Sequence, residues 1–566
     1  MELTGARILM ECLMEQGVDT VFGYPGGTIL NVYDALYDYS DKIKHILTSH
    51  EQGASHAADG YYRATGRTGV CFATSGPGAT NLTTGIATAY YDSSAVVFIS
   101  CNVSAPLLGK DAFQEVDLTG IAMPITKACY LIDDVSKLAD TVREAFYLAS
   151  HGRPGPVLID ILKNITAEKA DYTPLPKEEH PNHGHLANVI ARSSKGFKSV
   201  DTKPECMEKA VEILAGAKRP VVLVGGGAVR SGAYEQVREL VNRIDAVAVS
   251  TIMGLGVVSG YDPHFAGFAG MHGAHAANRA LNECDVLFAI GCRFSDRVAL
   301  NPKTFAHNAK IIHLDIDRAE INKNIHVDRP LIGDAKAVLE KLLPQIGAQQ
   351  HPEWQAYIAK EKKTPEKTMA GLEPFEILQA VEKATDGEAM IVTDVGQHQM
   401  WACQYYHYKR PMQLLTSGGF GTMGFGYGAT MGANVGLPGT KIVHVTGDGC
   451  FRMNCHELAT AEHYGIPVIT LIFDNGTLGM VRQWQNLMYH QRFSQTTLDR
   501  GPDFVKLAEA YGVAGYRVTN ARELSAALEK ALASGKAAVI DCVLDIDDKV
   551  RPMIPGGADL DQYLLD

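Results

Sequence analysis

The sequence has little that would tie the chain to a membrane, a disulfide framework or a nucleic acid. Its 11 cysteines, at positions 12, 71, 101, 129, 206, 284, 292, 403, 450, 455 and 542, include no C-x-x-C pair, which excludes a zinc knuckle and points to reduced, buried thiols. No apolar run approaches the roughly 18 residues needed to span a bilayer. The start, M-E-L-T-G-A-R, has no signal-peptide pattern, so a cytoplasmic location is expected. A net charge of −12 disfavours a phosphate backbone as partner. The 20 histidines, among them the run H-P-N-H-G-H, show no spacing suited to a metal site and read as solvated.

What is present is an ordinary globular composition, 46% hydrophobic and 20% charged, on 566 residues, too many for one core. Residues 1–165 alternate helical patterns with short apolar runs at Thr20-Val21-Phe22, Gly69–Ala73 and Ala95–Ile99, which is the pattern of an α/β unit with a parallel sheet. A polar stretch at 166–199 reads as a linker. Residues 200–345 repeat the pattern, with strands expected at 220–224, 286–290 and 311–316. After a second polar link, residues 370–545 do so again, with strands near 391, 442, 468 and 538, and 546–566 form a tail. The tripeptide A-T-A precedes a strand at Ala87-Thr88-Ala89 and again at Ala459-Thr460-Ala461, an echo consistent with either coincidence or an old duplication.

The chemistry concentrates in the third unit. Val445-Thr446-Gly447-Asp448-Gly449-Cys450 ends a β-branched run with one carboxylate between two glycines, and Asp474-Asn475-Gly476-Thr477 ends the next apolar run. A lone G-D-G is usually just a turn. Adjacent strand ends of a parallel sheet, however, can deliver Asp448 and Asn475 to one point, and Mg²⁺ takes oxygen ligands of this kind alongside phosphates. The glycines would let backbone N–H groups approach phosphate oxygens. Two further strand ends, Asp394–His398 and Ser417–Gly424, are richer in Gly, Gln, His and Ser than packing requires.

G-D-G followed about 27 residues later by Asn resembles the signature of thiamine-diphosphate-dependent enzymes. The resemblance implies three doubly wound parallel-sheet domains, with Asp448, Asn475 and the Thr477 carbonyl binding Mg²⁺, Gln397 and His398 binding diphosphate, and Met423 bending the cofactor. It assigns further cofactor contacts to Pro25, Pro77, Asn81, Gly396, Gly421, Gly447, Gly449 and Cys450. It also gives Glu51, in S-H-E-Q-G-A, the carboxylate role toward the pyrimidine ring. Family members build each site from two subunits, so a homodimer is the smallest active unit expected, with a homotetramer as the alternative.

Narrower motifs run the length of the chain: V-F-G-Y-P-G-G, S-G-P-G-A-T-N, D-A-F-Q-E, D-V-G-Q-H-Q-M-W and G-M-V-R-Q-W-Q. In order, they are similar to the large catalytic subunits of acetolactate synthases. The implied reaction decarboxylates pyruvate and condenses the hydroxyethyl carbanion with a second 2-keto acid, giving 2-acetolactate or 2-aceto-2-hydroxybutyrate on the route to valine, leucine and isoleucine. The resemblance places Gly27 near the developing oxyanion and Gln114 and Phe113 beside the substrate. It gives Arg297 the acceptor carboxylate, in C-R-F-S-D-R where the family usually has D-D-R. Met480, Val481 and Trp484 would line the acceptor pocket. Lys163 sits in D-I-L-K, without the family's proline.

The middle unit has Gly225-Gly226-Gly227 after a strand but Arg230 where G-x-G-x-x-G would end. In the resembled enzymes this unit binds FAD, here through that loop, Met271, His272, Arg293, Asp315 and Asp334, although FAD-free relatives exist. FAD-dependent pyruvate oxidase and other thiamine-diphosphate carboligases are the alternatives; of these, glyoxylate carboligase lacks the Glu51 carboxylate. A small regulatory subunit is a further partner the resemblance allows.

Overall fold

The computed structural model describes residues 1–175, 200–365, 367 and 371–565. Most of the expected linker, including the H-P-N-H-G-H run, lies outside the described residues. Its front end does not behave as a linker: β1 (Glu2–Thr4) pairs antiparallel with Lys169–Asp171, closing a small two-stranded sheet beside the first unit.

That unit is a six-stranded parallel sheet of β2 (Thr20–Gly23), β3 (Lys44–Leu47), β4 (Gly69–Ala73), β5 (Val96–Asn102), β6 (Ala128–Ile132) and β7 (Val157–Leu162). Their spatial order is β3-β2-β4-β5-β7-β6. The strands β4, β5 and β7 are buried along their whole length, as expected for apolar runs covered by helices on both faces. With Lys169–Asp171 as β8, the middle sheet comprises β9 (Pro220–Val224), β10 (Val247–Ser250), β11 (Phe265–Phe268), β12 (Val286–Ile290), β13 (Lys310–Asp315) and β14 (Arg329–Ile332). Its order, β11-β10-β9-β12-β13-β14, is that of the dinucleotide-binding doubly wound fold, with the chain reversing direction across the sheet between β9 and β12.

The third sheet contains β15 (Met390–Thr393), β16 (Leu414–Thr416), β17 (Ile442–Gly447), β18 (Ile469–Asp474), β19 (Ala514–Val518) and β20 (Ala538–Val543). Its order, β16-β15-β17-β18-β20-β19, repeats that of the first sheet strand for strand. Both A-T-A tripeptides fall on the helices between the third and fourth strands of their units, Thr83–Tyr91 and Leu458–Tyr464. Shared topology and shared position favour duplication over coincidence. β16 and β19 were not legible in the sequence: β16 is three residues long, and β19 (A-G-Y-R-V) is half exposed.

The two related units also meet through equivalent elements. The helix after the second strand of each, Glu51–Thr65 and Phe425–Gly436, lie against one another with backbones almost touching. A Cβ on Gly432 would stand 1.8 Å from the Ala57 carbonyl oxygen, and one on Gly60 would stand 2.1 Å from that of Ala429. Since the obstruction is backbone, neither helix can yield. Gly432→Ala is therefore expected to destabilise the fold by about 3 kcal/mol or more, read as a lower denaturation midpoint with an unchanged denaturant slope.

A buried polar cluster lies at the same junction. Arg63 forms a bidentate pair with Asp59 (2.7 and 2.8 Å), reaches Asp92 at 3.0 Å and donates to the Thr416 carbonyl at 2.5 Å. The other carboxylate oxygen of Asp92 accepts from Gly419 N–H at 2.6 Å, which fixes the glycine-rich loop after β16. A guanidinium so enclosed must be paired, and here both carboxylates and a carbonyl pair it.

The tail does more than end the chain. Ile554 N–H donates to the Met271 carbonyl, Val550 N–H to Gln483 Oε1, and the Asp548 carbonyl accepts from Gln397. It thus ties the middle and third units together near their strand ends. All 11 cysteines are free, and none is fully exposed.

Candidate active site

Three groups of the predicted residues assemble at the carboxyl ends of the three sheets. The first surrounds Asp448. It begins the helix Asp448–Asn454 directly after β17, while Asn475 and Thr477 follow β18, the neighbouring strand. Asp448 Oδ1 accepts its neighbour Gly449 N–H at 3.0 Å; Oδ2 is buried with no hydrogen-bond partner. Burial, and then the nearby Asp474, push the Asp448 carboxyl up to about 7. An orphaned carboxylate oxygen in such a place suits a cation. Asn475 donates its amide N–H to Gln397 Oε1 at 3.1 Å, which leaves its carbonyl oxygen as an available ligand.

His398 and the glycines complete this pocket. Burial lowers the His398 imidazole to about 4, so it is neutral, and its Nε2 also lacks a partner. A Cβ on Gly447 would sit 2.9 Å from His398 Nδ1, and one on Gly449 would sit 2.7 Å from the end of the Leu478 side chain, so both glycines leave room beside these side chains. The Gln397 side chain is turned into the protein. Its side-chain N–H groups go to Gln483 Oε1 at 3.0 Å and to the Asp548 carbonyl at 2.8 Å, so the side chain is occupied within the protein. What it offers a phosphate is its backbone N–H, which as the first residue of the helix Gln397–Tyr405 has no intrahelical partner. Cys450 donates its thiol to the Val395 carbonyl at 3.2 Å, and burial raises it far above the usual thiol range, which makes it a packed, unreactive residue. Beneath the pocket, Asp394 accepts from Gly426 N–H (2.8 Å), His444 (3.0 Å) and Thr446 (2.7 Å). Burial favours its neutral form, but these donors outweigh that and keep it below the ordinary carboxylate range.

The second group lines a cavity of about 770 Å³ at the reversal point of the middle sheet. Gly226, Gly227, Met271, His272, Arg293, Asp315 and Asp334 all border it. Gly225 and Gly227 are glycines because a Cβ on either would collide with Gly291 at 2.1 and 2.6 Å. Arg230, the residue that spoils the G-x-G-x-x-G pattern, stands at the end of the short helix Gly226–Arg230 with its guanidinium over the Tyr62 ring, 5.2 Å from its centroid. It serves an inter-domain contact, where no glycine is needed. Asp334 Oδ1 caps the helix Ala335–Leu342 by accepting Ala337 N–H at 3.0 Å. Burial lowers His272 to about 4.

Arg297, Met480, Trp484 and Gly421 line the same cavity. Arg297 is two-thirds exposed and paired only with Asp296, at 3.0 Å, so its guanidinium is available at the cavity mouth. Val395, Gly396 and Met480 border both this cavity and the smaller Asp448 pocket, which also includes Met423 and Val481, so the two spaces adjoin.

The third group is in the first unit. Glu51 is 9% exposed and accepts the Asn81 amide at 3.0 Å. A Cβ on Gly78 would meet Glu51 Oε1 at 3.0 Å and Thr74 at 2.7 Å, while Gly26 packs on Thr74 from the other side. The loops of Pro25-Gly26-Gly27 and Pro77–Asn81 thus close around Glu51. Gln114 joins them in a left-handed conformation, φ +62°, with Gly76 against its backbone. Phe113 is 88% exposed. Lys163 stands apart at the end of β7, half-buried. None of this third group borders the Asp448 pocket or the large cavity.

The Asp59–Arg63–Asp92 cluster and Glu457 escaped the sequence reading. The i,i+4 spacing of Asp59 and Arg63 in a helix of small residues was a usable signal; Glu457 had none.

The family comparisons agree with this geometry. The N-terminal thiamine pyrophosphate binding domain matches residues 3–121, the central domain of thiamine pyrophosphate enzymes matches 207–342, and the C-terminal binding domain matches 394–542. Fold and site together define a thiamine pyrophosphate enzyme. A probable acetolactate synthase large subunit of Methanocaldococcus jannaschii is 45% identical, with 99% of this chain and 94% of that protein covered. The acetolactate synthase large subunit of Haemophilus influenzae is 41% identical (98% and 97%), and the isozyme 3 large subunit of Escherichia coli is 39% identical (100% and 98%). The chain belongs to the acetolactate synthase large-subunit family.

Proposed function

We propose that this chain is the catalytic subunit of an acetolactate synthase, which decarboxylates pyruvate and joins the resulting two-carbon unit to a second 2-keto acid. The observation that carries this reading is the convergence of Arg297, Met480 and Trp484 on a cavity adjoining the Asp448 pocket. Thiamine diphosphate, when bound, supplies the electron sink for the carbanion. Asp448, Asn475 and the Thr477 carbonyl would hold its Mg²⁺, and His398 Nε2 with the Gln397 and Gly449 backbone N–H groups would receive the diphosphate.

The residues around that cofactor have separable roles. Glu51 would hold the proton at the pyrimidine nitrogen of the bound cofactor. The Arg297 guanidinium pairs with the carboxylate of the incoming 2-keto acid, and Met480 and Trp484 exclude water from the acceptor. The Gly27 N–H would reach the oxyanion, on a loop with open space where a Cβ would stand. FAD suits the large cavity in size, in its position at the sheet reversal and in the carboxylates and Arg293 on its wall. No residue of the Glu51 group borders the Asp448 pocket, and a second copy of the chain would bring its own Glu51 group to that pocket. The exposed apolar Phe113 (88%) and Met123 (68%) of the first unit are suited to such a contact. A small regulatory subunit and a cytoplasmic location are consistent with the large-subunit names of the relatives and with the absence, among the described residues, of a helix long and apolar enough to cross a membrane.

The test is colorimetric detection of acetolactate from pyruvate, alone and with 2-ketobutyrate, with and without thiamine diphosphate, Mg²⁺ and FAD. Product dependent on the first two cofactors is expected. Absence of product from cofactor-loaded protein would overturn the assignment; flavin bleaching by pyruvate without product would favour an oxidase.

A further inference from the structure

Glu457 is fully buried in the third unit, yet it works on the first. Its carboxylate accepts Ser49 N–H at 3.0 Å (Oε2) and 3.2 Å (Oε1), His50 N–H at 3.1 Å and the Thr460 hydroxyl at 2.6 Å. Its neighbours reinforce the attachment. Ser49 Oγ donates to the His456 carbonyl at 3.1 Å, and Leu47 N–H donates to the Tyr464 hydroxyl at 3.0 Å. The whole turn from β3 to the helix Glu51–Thr65 is therefore strapped to one helical stretch of another domain.

The geometry leaves little freedom at the next residue. His50 is the helix N-cap, and its Nδ1 accepts Gln52 N–H at 3.0 Å. Ser49 and His50 lie outside the helix and have no intrahelical acceptor, and Glu457 supplies one to each. Gly53 leaves the space for it: a Cβ there would come within 2.1 Å of Glu457 Oε1. A buried carboxylate needs such donors as much as the backbone needs an acceptor, so each side fixes the other. Glu51 follows directly on this turn.

We propose that Glu457 is a positioning residue for Glu51, setting the direction in which that carboxylate is presented to the cofactor by holding the Ser49 and His50 backbone. This rests on the reading of Glu51 given above. Glu457 touches no reacting atom and acts through the backbone alone.

The test combines two measurements on the full chain. In cofactor-free protein, Glu457→Leu, which offers no acceptor, should speed backbone amide hydrogen exchange at Ser49 and His50, and Glu457→Gln, which keeps one neutral acceptor, should do so less; wild-type protection in Glu457→Leu would overturn the clamp whatever the enzyme does. In protein loaded with thiamine diphosphate and Mg²⁺, hydrogen–deuterium exchange at the cofactor's thiazolium carbon should slow by about 10- to 100-fold in Glu457→Gln, with little change in cofactor affinity. Added to Glu51→Gln, the same substitution should cost nothing further. Losses that multiply in the double variant would overturn the positioning role. Should Glu457→Gln fail to fold, Glu457→Asp, which withdraws the carboxylate by one methylene, should show a smaller loss with the same non-additivity. Neither readout requires acetolactate, so a failed synthase assay leaves the clamp testable and a failed clamp leaves the synthase assignment untouched.

Discussion

Glu51→Gln is expected to lower the rate of acetolactate formation by about 10²- to 10⁴-fold, the range typical of losing a positioned acid–base group, while the protein keeps its fold. The amide has the size of the carboxylate and can still accept from Asn81 through its oxygen, so the packing against Gly78 and Thr74 survives. What disappears is a group able to hold or release a proton at the pyrimidine nitrogen. Turnover is read with saturating cofactor, and the fold by thermal melting. A variant with near-wild-type turnover would remove Glu51 from the mechanism.

Asp448→Asn is expected to have the second large effect, with opposite signs in the two states of the protein. In the loaded enzyme it removes the only charged side chain proposed to ligate the cation, so Mg²⁺-dependent cofactor binding should weaken by more than the roughly 10- to 100-fold that follows loss of an outer-shell partner. In the cofactor-free protein it should stabilise. The Asp448 carboxyl is raised to about 7 by burial and by Asp474, well above its value in an unfolded chain. Between about pH 4 and 7 the folded protein therefore holds a proton that the unfolded chain has released, and stability falls as pH rises through that window. Asn carries no such penalty. The variant should melt higher than the parent at pH 7, and the difference should vanish near pH 4. Unchanged Mg²⁺ dependence in titration calorimetry would take Asp448 out of the cation site.

Local chemistry explains why so much of this was legible beforehand. Apolar runs buried on both faces, such as Gly69–Ala73, Pro220–Val224 and Val286–Ile290, announce parallel strands because no polar residue is tolerated on either side. The spacing of Asp448 and Asn475 announces their meeting because each sits at the end of one of two neighbouring strands. β16 and β19 carry no such signal, one too short and the other half in solvent. The departure of Arg230 from the glycine pattern could not be interpreted from the sequence, because its guanidinium packs over the Tyr62 ring of another domain.

The sequence by itself therefore determined the three α/β units, the residues suited to bind a diphosphate cofactor through a cation, and the family motifs that suggest the substrate. The tertiary structure alone decided how those residues are used. It spends the Gln397 side chain on Gln483 and Asp548, laces the tail across two domains, and seats Glu457 against a turn 408 residues away. The reason is physical: a strand or a turn depends on neighbours along the chain, whereas the partner of a buried hydrogen-bonding group is whichever group packing brings within about 3 Å, and that choice is made by the whole fold.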